Sequence, residues 1–281
     1  MAMTAPLVST AWLAERLGDP DILIVDGSWW MPAEARSGEA EFLQRHIPGA
    51  VFFDIDAIAD KTVDLPHMLP TPEVFADAVG ELGLGRDATI VVYDTFGIRA
   101  AARVWWELRA MGFEKLHVLD GGLKTWIAEG RPLETGPAEP RPVSVAPNYK
   151  SELVRNSTQV LMALESGTVQ VVDARAGARF RGEAPEPRAG LRSGHMPGAL
   201  NTPFDTLLNA DGTLKSPQAL RDVFQLAGVD LDAPIITTCG SGVTASVIAL
   251  ALATLGKDAA VYDGSWTEWG GLADMPVVTG A

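Results

Sequence analysis

One cysteine, Cys239, stands in a sequence context that suits nucleophilic chemistry. The residues before it, 234–238, form the short apolar and β-branched run that is typical of a buried strand. Gly240 and Gly242 allow a tight turn, and an apolar helix is predicted directly afterwards, over 242–255. Backbone N–H groups in such a turn, together with the positive end of the helix, attract negative charge. We therefore expect the loop to favour a thiolate at Cys239 and to stabilise a negatively charged adduct on its sulfur.

A lone cysteine is by default a small buried hydrophobic residue with no chemical role. A similar strand and glycine turn earlier in the sequence, at 89–97, helps to decide between this structural interpretation and the nucleophilic one. Aligning Gly97 with Gly242 places Asp94 opposite Cys239. A structural cysteine would tend to be matched by another small apolar residue, whereas Asp94 carries a carboxylate that cannot act as a thiol nucleophile. We interpret the two copies as one active and one silent.

Hydroxyl groups in the cysteine loop and a separate arginine-rich segment could assist a reaction at Cys239. Ser241 lies two residues beyond the cysteine, and its hydroxyl could polarise a substrate or assist proton transfer. Thr244 is expected to cap the helix or to complete the loop. An arginine-rich segment, 175–192, could bind a carboxylate, because guanidinium groups bind carboxylates through two parallel hydrogen bonds. For any single arginine in it, a solvated loop is the simpler interpretation. Its arginines are Arg175, Arg179, Arg181, Arg188 and Arg192.

The whole pattern is present twice, which indicates two domains related by duplication. Four motifs recur in the same order about 145 residues later: His46-Ile-Pro-Gly-Ala50 at His195, Asp26 at Asp173, the run 89–93 at 234–238, and Asp120-Gly-Gly at Asp263-Gly-Ser. Because His46 and His195 hold equivalent places in the active and the silent copy, we expect both to have structural roles.

Prolines between the copies, in 131–150, predict an extended connection. We place an N-terminal, non-catalytic domain at 1–135, a linker at 136–150 and a C-terminal, catalytic domain at 151–281. In each domain short strands alternate with amphipathic helices, which predicts an α/β fold with a parallel sheet flanked by helices. The second domain is predicted to have strands at 169–172, 234–238 and 259–262 and helices at 157–165, 216–226 and 242–255. Cys239 would then lie beyond the carboxyl end of a strand, where such sheets bind ligands.

The composition narrows the possible partners. The chain has 281 residues and a net charge of −14, which disfavours nucleic acid and anionic membranes. It contains no run of 18 apolar residues, and its N-terminus lacks a basic region followed by an apolar stretch, so we expect a cytoplasmic protein. One cysteine permits neither an intramolecular disulfide nor a four-thiolate zinc site.

The segment Cys239-Gly-Ser-Gly-Val-Thr-Ala245 resembles the active-site loop of the tandem-domain rhodanese family, in its 3-mercaptopyruvate sulfurtransferase type. The thiosulfate type has Arg-Lys in place of Gly240-Ser241. The similarity extends from Trp12 to Trp269, and it implies two rhodanese folds of which only the second is catalytic. Supporting motifs are Arg45-His-Ile-Pro-Gly49, Pro66-His-Met-Leu69, Arg103-Val-Trp-Trp106 and Tyr262-Asp-Gly-Ser-Trp266.

The resemblance implies a sulfur transfer that needs neither a metal nor an organic cofactor. Cys239 would take sulfur from 3-mercaptopyruvate, release pyruvate, and pass the persulfide sulfur to a small thiol, thioredoxin or cyanide. Arg179 and Arg188 match the pair that binds the donor's carboxylate, and Ser241 matches a serine that assists catalysis. Participation of His46 stays open. The loop residues expected to line the substrate are Gly240, Gly242, Val243 and Thr244.

Three other functions would each require different residues in or near this loop. A thiosulfate sulfurtransferase would use the same chemistry, but it would need cations in the loop, which Gly240-Ser241 does not supply. A cysteine phosphatase would need an arginine where Ala245 stands. A non-catalytic rhodanese-like binding module would have no reason to retain Cys239.

Overall fold

The computed structural model describes residues 5–280, which cluster by their contacts into two compact units. The first unit contains 5–61, 69–150 and 209–214, and the second contains 62–68, 151–208 and 215–280. Residues 136–150 form neither helix nor strand and run along the first unit. The N–H of Val143 donates to the Gly80 carbonyl at 3.0 Å, and that of Lys150 donates to the Ala110 carbonyl at 2.7 Å.

The first unit is built on a five-stranded parallel sheet in the order β1-β5-β4-β2-β3. Its strands are β1 (Leu7–Val8), β2 (Ile22–Asp26), β3 (Ala50–Phe52), β4 (Thr89–Tyr93) and β5 (Leu116–Leu119). Its helices are α1 (Thr10–Ala14), α2 (Gly38–Gln44), α3 (Pro72–Glu81), α4 (Ala100–Ala110) and α5 (Gly122–Ala128).

The second unit repeats this topology, with a five-stranded parallel sheet in the order β6-β10-β9-β7-β8. Its strands are β6 (Val154–Arg155), β7 (Gln170–Asp173), β8 (Leu200–Asn201), β9 (Ile235–Thr238) and β10 (Ala259–Tyr262). Its helices are α6 (Ser157–Ser166), α7 (Gly177–Phe180), α8 (Pro217–Leu226), α9 (Ala245–Thr254) and α10 (Ser265–Trp269). The two sheets confirm the predicted fold class and show the duplication directly.

One predicted helix boundary was wrong. Helix α9 begins at Ala245 and not at residue 242, because the residues before it form the turn that follows β9. The helix is buried along its whole length up to Ala253 and packs on β9 and β10. Its apolar residues surround the helix axis, as expected for a helix that faces the core on every side. In residues 5–280, none of the helices combines the length and apolarity that crossing a bilayer would require.

Candidate active site

Cys239 directly follows β9, at the carboxyl end of a central strand of the second sheet. The residue is 2% exposed. The chain turns at Gly242, whose φ of +80° is a left-handed conformation that glycine adopts without strain. Thr244 occupies the N-cap position of α9, but its side chain makes no capping hydrogen bond, so it completes the loop and does not cap the helix.

The hydroxyl of Ser265 holds the cysteine loop in place. Its Oγ accepts hydrogen bonds from the N–H groups of Cys239 at 3.2 Å and Gly242 at 3.1 Å, and it donates to the Tyr262 carbonyl at 2.8 Å. Two further bonds reach the loop from α10: Trp266 N–H to the Cys239 carbonyl at 3.0 Å, and Thr267 N–H to the Gly240 carbonyl at 2.9 Å. The first residues of α10 therefore fix the backbone on both sides of Cys239.

Other polar groups of the loop remain available to a ligand. Within residues 5–280, the backbone N–H groups of Gly240, Ser241, Val243 and Thr244 make no hydrogen bond, and neither does the Ser241 hydroxyl. Ser241 itself is buried. Because buried N–H groups are nearly always paired in folded proteins, this concentration of donors at a strand end is suited to binding an anion.

Two of the five arginines of 175–192 lie beside the loop. A Cβ placed on Gly240 would be 3.3 Å from Nη2 of Arg179 and 3.9 Å from Nη1 of Arg188. A side chain at Gly240 would therefore crowd Arg179, whereas it would only come into ordinary contact with Arg188. Cationic groups, loop amides and a thiol are brought together beyond the carboxyl end of β9.

The other three arginines have structural partners. Arg181 is 41% exposed and pairs with Glu183 at 2.7 Å. Arg192 donates to backbone carbonyls near the end of the chain, including those of Gly270 at 3.1 Å and Met275 at 2.8 Å. Arg175 is buried over the ring of Trp266, with its guanidinium carbon 4.1 Å from the ring centroid.

A buried ionic network supports Arg179. Arg175 binds Asp173 at 2.7 Å and donates from Nη1 to Glu186 at 2.9 Å. Glu186 in turn binds Nη2 of Arg179 at 2.5 Å. Burial opposes the charge of Arg175, but Asp173 and Glu186 outweigh it and hold its pKa above the ordinary value.

The equivalent loop of the first unit holds an anion of its own. The carboxylate of Asp94 accepts from the N–H groups of Gly97 at 2.7 Å, Arg99 at 2.9 Å and Ala101 at 2.8 Å. Gly122 stands where the second unit has Ser265, with φ +56°, and a Cβ on it would lie 2.4 Å from the Asp94 carbonyl oxygen. The first loop is therefore closed around a carboxylate and offers no thiol.

Comparison with known proteins agrees with this duplicated architecture. The model of the rhodanese-like domain matches the chain twice, over residues 9–129 and 157–272. The chain belongs to the rhodanese family. It is 48% identical to the 3-mercaptopyruvate sulfurtransferase of Escherichia coli K12 over 276 residues, which cover 98% of each chain. It is 46% identical to the thiosulfate sulfurtransferase of Bos taurus over 271 residues, 94% of this chain and 91% of the relative.

A solved rhodanese structure has the same fold. The crystal structure of SseA, a 3-mercaptopyruvate sulfotransferase from Escherichia coli, superposes with a TM-score of 0.87 at 46% identity. The superposition covers 94% of this chain and 99% of that one.

The paired histidines have the same surroundings in both rhodanese units. Nδ1 of His46 donates to the Phe42 carbonyl at 2.8 Å, and its ring stacks on Phe42 at a centroid distance of 3.9 Å. His195 does the same with Phe180, at 2.8 Å and 3.8 Å. These contacts fix the turn before the third strand of each unit, as a structural role requires. The Nε2 atom of His46 lies 3.9 Å from Glu134.

Three residues of the second rhodanese unit were not singled out from the sequence. Ser265 and Glu186 have the loop and arginine contacts given above. His67 lies in the segment 62–68, which clusters with the second unit although it precedes most of the first in sequence. It is buried, with a left-handed backbone at φ +61°. No fixed sequence spacing predicts such tertiary contacts, and the available signals were the motifs Pro66-His-Met-Leu69 for His67 and Tyr262-Asp-Gly-Ser-Trp266 for Ser265.

Proposed function

We propose that the protein is a 3-mercaptopyruvate sulfurtransferase that carries sulfur as a persulfide of Cys239. The observation that supports this most strongly is the position of Arg179 and Arg188 beside Gly240, one residue from the thiol. Two guanidinium groups at this distance suit a small donor that bears a carboxylate. The 48% identity to a relative of that name adds independent support.

In the first half-reaction the Cys239 thiolate attacks the thiol sulfur of 3-mercaptopyruvate. The sulfur–carbon bond breaks, and its electron pair moves into the carbonyl of the leaving group to give the enolate of pyruvate. A proton then reaches the enolate carbon, and pyruvate leaves. Arg179 and Arg188 bind the donor's carboxylate throughout, and the Ser241 hydroxyl assists the proton transfer.

The persulfide is stabilised by the loop that surrounds it. The N–H groups of Gly240, Ser241, Val243 and Thr244, which have no hydrogen-bond partner within residues 5–280, supply the positive ends of dipoles to its negative outer sulfur. Ser265 keeps this arrangement fixed through the amides of Cys239 and Gly242.

In the second half-reaction a thiophilic acceptor attacks the outer sulfur, the sulfur–sulfur bond breaks, and the Cys239 thiolate is restored. A small thiol or a thiol of thioredoxin would leave as a persulfide, and cyanide as thiocyanate. Because both half-reactions use one nucleophile, the kinetics should be ping-pong.

We also propose that catalysis belongs to the domain 151–281, after a non-catalytic domain 1–135 and a linker 136–150. A reducing compartment, the cytoplasm, would keep the single thiol reduced.

Thiosulfate is the second candidate donor, since the Bos taurus relative of 46% identity is a thiosulfate sulfurtransferase. The experiment that separates the two is a comparison of kcat/KM for 3-mercaptopyruvate and thiosulfate, with the same acceptor and purified protein. We expect the larger value for 3-mercaptopyruvate. A larger value for thiosulfate would overturn the proposed donor but would leave the persulfide chemistry intact.

A further inference from the structure

The first turn of α10 binds two consecutive carbonyl oxygens of the cysteine loop. The N–H of Trp266 donates to the Cys239 carbonyl at 3.0 Å. The N–H and the hydroxyl of Thr267 both donate to the Gly240 carbonyl, at 2.9 Å and 2.5 Å. The peptide groups of the loop are trans, and a planar trans peptide directs its C=O and its N–H in opposite directions. The N–H groups of Gly240 and Ser241, which follow these two carbonyls, are therefore turned away from α10.

Ser265, in the same turn, has a strained backbone. It is fully buried, with φ at +50°, a left-handed conformation that residues other than glycine adopt at a cost in energy. Its hydroxyl accepts from the N–H groups of Cys239 and Gly242 and donates to the Tyr262 carbonyl, which is the full hydrogen-bonding capacity of a hydroxyl. A strained residue whose side chain is used completely in this way indicates a functional constraint.

The first unit has the same turn without either hydroxyl. The positions equivalent to Ser265 and Thr267 are occupied there by Gly122 and Lys124. The backbone contact is nevertheless shared, because the N–H of Leu123 donates to the Asp94 carbonyl at 3.0 Å, as the N–H of Trp266 does to its own loop. Of the two copies, only the one with the thiol thus adds hydroxyl groups to this contact.

We infer that the hydroxyls of Ser265 and Thr267 aim the N–H groups of the cysteine loop at the outer sulfur of the Cys239 persulfide. This inference rests on the proposed function, because it takes the persulfide as the anion that these N–H groups bind. The two hydroxyls contact the loop backbone and no reacting atom, so both residues are positioning residues. Their effect should appear in the step that forms the persulfide and not in binding of the donor's carboxylate, which is assigned to Arg179 and Arg188.

The test follows the first half-reaction alone, with 3-mercaptopyruvate in excess and no acceptor. The mass of the intact protein, sampled over time at several donor concentrations, gives the maximal rate constant of sulfur loading and the donor concentration at half of that rate. Thr267→Val removes the hydroxyl and keeps the shape of the side chain. Thr254→Val is the matched control, because Thr254 is also partly buried in the second unit and its Oγ1 donates to a helix carbonyl, that of Ala251, at 2.7 Å.

We expect Thr267→Val to lower the maximal rate constant roughly two- to tenfold, the value of one neutral hydrogen bond, with the half-rate concentration unchanged. Thr254→Val, and Thr267→Ser, which keeps the hydroxyl, should load at nearly the wild-type rate constant. A variant that is only less stable would instead load a smaller fraction of its molecules at an unchanged rate constant. The inference is overturned if Thr267→Val loads as fast as Thr254→Val, or if Thr267→Ser is slowed as much as Thr267→Val.

Ser265→Gly tests the other hydroxyl, since it gives the second unit the residue that the first unit has at this position and relieves the left-handed strain. It should also lower the maximal rate constant, because the N–H groups of Cys239 and Gly242 lose the acceptor that orients them. The inference requires both hydroxyls, so a wild-type rate constant in folded Ser265→Gly would overturn it as well. A wild type that gains no sulfur at all would contradict the proposed function instead, so the two failures are distinct.

Discussion

Asp94 stands at the end of β4 as Cys239 stands at the end of β9, and the two residues use their loops in different ways. Asp94 accepts three backbone N–H groups within its own loop. The loop of Cys239 is instead fixed by the Ser265 hydroxyl, which leaves other N–H groups without a partner in residues 5–280. The N–H groups of the first loop thus bind the carboxylate of Asp94, whereas those of the second loop are suited to binding the anion of a ligand.

Asp94→Ala should lower the free energy of unfolding and leave kcat nearly unchanged. Removing the carboxylate leaves two buried N–H groups and one partly buried N–H group without this acceptor, at a cost of about 1–3 kcal/mol or more in the free energy of unfolding. Urea denaturation measures that cost, and Asp94→Asn, which keeps one acceptor oxygen, should lose less. A loss of kcat in folded Asp94→Ala comparable to that of Cys239→Ser would mean that the first unit takes part in catalysis.

Arg179→Ala and Arg188→Ala should each lower kcat/KM for 3-mercaptopyruvate by roughly 10- to 150-fold, the value of one charge-assisted contact. Most of the loss is expected in KM, because the carboxylate is bound before and after the sulfur moves. Arg181→Ala is the control, since Arg181 lies in the same segment but pairs with Glu183 at the surface. Unchanged kcat/KM in both Arg179→Ala and Arg188→Ala would disprove the carboxylate-binding assignment.

Asp26 should make the stability of the protein depend on pH. Burial raises its pKa from 3.8 to about 6, against the opposing effect of the bonds from Ser28. The folded state then holds a proton that the unfolded chain has lost, so the free energy of unfolding falls as pH rises from about 4 to about 6, by about 3 kcal/mol for this group.

Asp26→Asn removes this titration and mimics the protonated side chain. Urea denaturation of both proteins at pH 4 and pH 7 should show that the wild type loses more stability than the variant over this interval. Equal losses in the two proteins would contradict the assignment. In the second unit the equivalent residue, Asp173, has Arg175 as a partner where the first unit has Ser28.

The duplication and the position of the thiol could be predicted from sequence because both depend on local pattern. The strand before Cys239, the glycine turn and the apolar helix are contiguous, and the matching run in the first copy leads to Asp94 where the second copy has its cysteine. The start of α9 was missed by three residues, since glycine and threonine are compatible with either a turn or a first helical turn.

The groups that complete the site could not be derived in this way. Ser265 reaches Cys239 across 26 residues of sequence, and Glu186 becomes important only because the chain folds Arg175 and Arg179 onto it. Gly240 was expected to allow a tight turn, and the structure adds that a side chain at this position would crowd Arg179. Installing Arg-Lys at 240–241 would therefore place a new cation directly against two existing ones.

The most direct test of the central claim is the mass of the intact protein after treatment with 3-mercaptopyruvate in the absence of an acceptor. The account predicts that the wild type gains one sulfur atom, that a thiol acceptor or cyanide removes it, and that Cys239→Ser gains none. Sulfur on folded Cys239→Ser, or turnover by wild-type protein that never carries the added sulfur, would contradict a persulfide on Cys239.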